Sequence, residues 1–101
     1  MNRRLIGALI GAPLLLTACT SADTEQMRAG LGKAGLSQTQ AACYSEAMAK
    51  AVSAKFYNAF AGHLMQGADL KEATQRTRRK FGTDFSDQMS EAKQALETCL
   101  R

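Results

Sequence analysis

With 101 residues, the chain has room for one domain. Its 13 Lys and Arg against 9 Asp and Glu give a formal charge of +4. Trp is absent, the only proline is Pro13, and no alternating run of β-branched residues occurs, which excludes a strand-rich fold. From Cys19 onward the charge balance falls to 11 − 9 = +2. With no aromatics interleaved among the basic residues, that excludes a nucleic-acid-binding module.

Arg3 and Arg4 precede the apolar run 5–16 (LIGALIGAPLLL), which is signal-peptide length and short of the ~20 residues a membrane-spanning helix requires. Leu16-Thr17-Ala18-Cys19 follows directly and resembles the lipobox of bacterial lipoproteins: aliphatic, small, small, cysteine. The resemblance covers residues 1–19. It implies a signal peptide over 1–18, cleavage before Cys19, a diacylglyceryl group on its thiol and an acyl chain, typically palmitate, on the new amine. Two or more chains hold a protein stably, each buried CH₂ contributing roughly 0.8 kcal/mol. Thr20 and Ser21 stand where an Asp would mark retention in the inner membrane. The resemblance therefore implies the periplasmic face of the outer membrane, with the covalent lipid in place of any cofactor.

Residues 19–35 are small, polar and glycine-bearing, and are expected to form a flexible tether with at most a transient helical turn near Asp23. Gly30, Gly32 and Gly35 spell G-x-G-x-x-G, the dinucleotide fingerprint. That motif requires a preceding strand and a βαβ context, neither of which the sequence offers, so no nucleotide site is assigned.

The expected fold is all-α: a small antiparallel bundle of three or four helices over residues 36–101. The first helix begins at Ser37, which forms an S-x-x-Q capping box with Gln40, and carries Cys43, Tyr44, Ala47, Met48, Ala51 and Val52 inward. Ser53 either caps a second helix or interrupts a continuous one. Phe56, Tyr57, Phe60, Ala61, Leu64 and Met65 follow at helical spacing, and Gly67 ends the segment. Asp69 and Glu72 open the next helix, and Leu70, Ala73, Thr74 and Thr77 give it a weak apolar face. Gly82 is its stop. Thr83 or Asp84 caps the last helix, whose inward stripe is Phe85, Met89, Ala92, Leu96, Cys99 and Leu100.

With Cys19 consumed by lipid, Cys43 and Cys99 remain in an oxidising compartment, each on the apolar stripe of its helix. A disulfide between them is expected. Their spacing is not that of a C-x-x-C redox pair. With His63 the only histidine and no carboxylates grouped beside them, no metal site is expected.

Two surfaces carry the functional expectation. Arg76, Arg79 and Lys80 share one helix face, with Arg78 off it, and suit anionic lipid head groups or an acidic surface. Tyr57, Ala61 and Met65 widen the apolar arc of their helix beyond what a small core covers, leaving a groove for a partner's amphipathic helix. His63 has no nucleophile elbow or carboxylate pair around it, and no enzyme activity is expected. A lipidated helical bundle of this kind resembles secretin pilotins in architecture, which implies a binding or assembly factor at the outer membrane. The alternative is an envelope-stress or defence lipoprotein whose basic helix meets anionic envelope material.

Overall fold

The computed structural model describes residues 21–101; the expected signal peptide, lipobox and Cys19 lie outside the described residues. These residues form five α-helices and no strand: α1 Thr24–Lys33, α2 Gln38–Ala51, α3 Ala54–Met65, α4 Leu70–Phe81 and α5 Thr83–Cys99. The all-α expectation holds, and the helix count rises from three or four to five.

The added helix is α1, where the sequence reading placed a tether. Asp23 caps it by accepting from the Gln26 N–H at 3.0 Å, and Glu25 and Lys33 complement its ends. Met27 and Leu31, four residues apart, are both fully buried. They gain enough apolar burial to outweigh the propensity cost of Gly30 and Gly32, about 1 kcal/mol each. Gly30 is what lets α1 come close: a Cβ there would lie 2.7 Å from Leu64 Cβ. Of the fingerprint glycines, Gly30 therefore serves helix packing and Gly35 helix termination.

α1 and α3 end in the same way. Gly35, at φ 105°, donates to the Gly32 carbonyl while Leu36 donates to Leu31. Gly67, at φ 107°, donates to Leu64 while Ala68 donates to His63. Both are Schellman closures, in which glycine takes the left-handed position and spent carbonyls recover their partners.

α2 carries the expected capping box, with Gln40 N–H donating to Ser37 Oγ at 3.1 Å and Ser37 N–H to Gln40 Oε1 at 2.9 Å. α2 and α3 are separate helices, because Val52 adopts extended backbone and Ser53 begins α3. The Ser53 side chain makes no cap bond; its N–H donates instead to Gln88 Oε1 of α5 at 2.8 Å. Neither Thr83 nor Asp84 caps α5. Gly82, at φ 78°, closes α4 and opens α5 on one residue, leaving no loop in which a side-chain cap could sit.

α1 runs parallel to α3, with Asp23 at Asn58, Gly30 at Leu64 and Lys33 at Met65, and α2 runs antiparallel to α5. α1 packs most extensively on α3 and also on α2, α5 packs on α2, and α4 bridges α3 and α5. The core gathers Met27, Leu31, Met48, Tyr57, Phe60 and Phe85 at its centre. Phe85 meets the Phe56 ring edge-on at a 6.0 Å centroid distance. Cys43 and Cys99 form the expected disulfide with Cα atoms 5.5 Å apart, joining the start of α2 to the end of α5. Gln40 Nε2 donates to the Leu100 carbonyl at the same junction.

Candidate functional site

The groove expected at Tyr57, Ala61 and Met65 is filled by the chain itself. Tyr57 and Ala61 are 0% exposed, and only Met65 stays half-buried at the helix end. Without α1, the apolar arc of α3 would stand partly uncovered. α1 is the amphipathic helix that covers it. The Tyr57 hydroxyl donates to the Ser45 carbonyl at 3.2 Å, and burial pushes its pKa up to about 12. Asn58 secures the entry to α1, accepting from Asp23 N–H at 2.8 Å and donating to the Ser21 carbonyl at 3.0 Å.

Arg76, Arg79 and Lys80 lie on α4, and the charges of all three reach His63. Asp69 accepts from Glu72 N–H at 2.8 Å and starts the helix. Its inward face is small, with only Ala73 and Thr77 buried, and Thr77 returns its hydroxyl to the Ala73 carbonyl. Arg76 is half-buried and bound to Glu72 at 2.6 Å, so its charge is largely matched within the helix. Arg78, Arg79 and Lys80 are exposed. Lys80 Nζ lies 5.4 Å from the Phe81 ring centroid, with Lys55 Nζ at 5.5 Å from the same ring.

His63, on α3, feels this face. Burial, then the charges of Arg76, Lys80 and Arg79, hold its pKa below 6.5, with Glu72 opposing. Its Nδ1 is buried without a hydrogen-bond partner. Polar residues that could have joined it in a hydrolytic set are engaged elsewhere: Tyr57 with Ser45, Asp69 at its helix cap, and Ser53 with Gln88. Among the described residues no group of His, Cys, Asp and Glu is arranged to hold a metal, and no helix is long and apolar enough to cross a membrane.

A surface that sequence reasoning missed lies between α2, α4 and α5. It is a groove of about 490 Å³, within the range of small-ligand sites. Phe85, Leu96 and Tyr44 form a buried floor, and Met89 and the 40% exposed Leu100 lie along it. Arg78 and Lys93 stand on its rim with Ser86 and Ser90, and Glu97 is nearer the Leu100 end of α5. Burial raises the Tyr44 pKa to about 12, so its phenol stays protonated and uncharged across the physiological range. The signal was present in the sequence. Met89, Leu96 and Leu100 share one stripe of α5, and from α4 only Thr74 and Arg78 line the same groove.

Compared with protein families, curated proteins and solved structures, the chain finds no match in any of the three.

Proposed function

We propose that the protein is a non-enzymatic lipoprotein of the cell envelope, anchored by acyl chains on Cys19 at the periplasmic face of the outer membrane, where it acts as a binding factor. The lipobox Leu16-Thr17-Ala18-Cys19 supports the anchor. The observation that carries the binding reading is the uncovered α4–α5 face, where an apolar floor meets unmatched cations. Pilotin-like capture of a partner helix on Tyr57 and Ala61 loses support, because α1 occupies that seat.

A second reading rests on Arg79 and Lys80, exposed and outside the ion pairs of the described residues, which suit anionic envelope material. It requires that reversing both charges weakens binding to anionic vesicles, and that added salt does the same.

The anchor is tested by intact mass of the protein from its native envelope, with and without reductant. Acylated Cys19 at the N-terminus and a gain of two hydrogens on reduction support the reading. A chain from which Cys19→Ser removes neither lipid nor membrane association would sink it.

A further inference from the structure

The groove on α5 joins an apolar floor of Phe85, Leu96 and Tyr44 to a cationic edge of Arg78 and Lys93. From position 85 to position 100 is fifteen helical steps, about 22 Å at 1.5 Å per residue. Its volume is about 490 Å³, and it opens to solvent along α5. Its charge is also ordered. The ion pairs among the described residues, Arg28–Glu46 and Arg76–Glu72, involve neither Arg78 nor Lys93. Both rim cations are exposed, and two serine hydroxyls stand with them. Glu97 repels an anion from the Leu100 end, so a negative head group has one favoured seat and an apolar tail one favoured direction.

We infer that this groove binds a long-chain carboxylate, a fatty acid whose head group lies between Arg78 and Lys93 and whose chain runs along Tyr44, Met89, Leu96 and Leu100. The guanidinium of Arg78 presents the planar fork that matches a carboxylate, and Lys93 adds a point charge. The chain replaces water over Leu96, Met89 and the exposed Leu100, the part of the α5 stripe that α4 leaves open. The inference rests on the binding reading and is independent of the anchor.

The test uses the mature full-length protein in phosphatidylcholine vesicles, photolabelled with hexadecanoate carrying a mid-chain diazirine, the adducts being located by peptide mass spectrometry. Adducts are expected on Tyr44, Met89, Leu96 or Leu100. The double variant Arg78→Glu with Lys93→Glu should lower labelling about tenfold or more, the scale of losing charge-assisted hydrogen bonds. Lys50→Glu, on another exposed part of α2, should leave it unchanged. Shortening the chain by two methylenes should weaken binding about tenfold, following the apolar burial lost. Helicity of each variant by circular dichroism guards against misfolding. Equal labelling by the matching alcohol or alkylammonium overturns the carboxylate assignment, as does a tenfold preference for a lysophosphatidylglycerol analogue. Adducts scattered over α1 and α3, or displacement by an acidic amphipathic peptide in place of competing hexadecanoate, overturn the site. A chain that carries lipid on Cys19 but fails these tests keeps its anchor and loses this ligand.

Discussion

The two flanks of α3 and α2 are built in opposite ways. On one side α1, a helix with two glycines and a plain sequence, lies so close that Gly30 tolerates no Cβ, and Met27, Leu31, Tyr57, Ala61 and Leu64 are all fully buried. On the other side α4 is sharply divided into polar and apolar faces, yet buries only Ala73 and Thr77 and leaves Leu100 and Met89 partly open along α5. A clear amphipathic pattern reports which way a helix faces. How much it covers depends on side-chain volume and on how near the backbones can come.

That contrast predicts a gradient of sensitivity. Largest is the removal of the covalent closure: Cys43→Ser with Cys99→Ser should cost about 4 kcal/mol for a 56-residue separation, read from urea unfolding midpoints. Next, Leu31→Ala on the sealed flank should cost about 2–5 kcal/mol through lost burial and a cavity. A cost below 0.5 kcal/mol would show that α1 is not part of the cooperative core. Gly30→Ala should cost about 1–3 kcal/mol, because the new methyl meets Leu64 Cβ at 2.7 Å and backbone or side chain must give way. On the open flank, Leu100→Ser should change stability by no more than about 0.5 kcal/mol. An equal cost on both flanks would erase the distinction.

The smallest effect is one of pH. His63 has its folded pKa held below 6.5, so the unfolded chain binds the proton more readily. Its contribution is fully present above pH 6.5 and is lost as pH falls through that value toward the folded pKa. Unfolding curves at several pH values should show stability declining on acidification in the wild type, and declining less in His63→Gln. Identical slopes would remove His63 from the account.

Much of this fold was legible in the residues. Ser37 with Gln40, Gly67, Asp69 and Gly82 marked real helix ends, because each acts through its own backbone geometry or a bond within four residues. Cys43 and Cys99 paired as expected, although Cys43, expected on the inward stripe of α2, is exposed and only Cys99 is buried. α1 escaped because its burial depends on Leu64 and Ala61, more than thirty residues away, and because glycine lowers local helix preference whatever it does for close packing. The same omission left Tyr57 and Ala61 looking free. The α5 groove escaped for the converse reason: a stripe shows that residues share a face, while the gap left between them and Thr74 and Arg78 of α4 emerges only when the helices are set side by side.

The disulfide also divides the molecule mechanically. Closing Cys43 to Cys99 makes a ring of α2 through α5, and α1 stands outside it. A pull entering from the N-terminal side first loads the Asp23–Asn58 and Ser21–Asn58 hydrogen bonds and the contact of Gly30 with Leu64. Tension would strip the ten residues of α1 from α3 while the disulfide kept the ring closed, uncovering Tyr57 and Ala61.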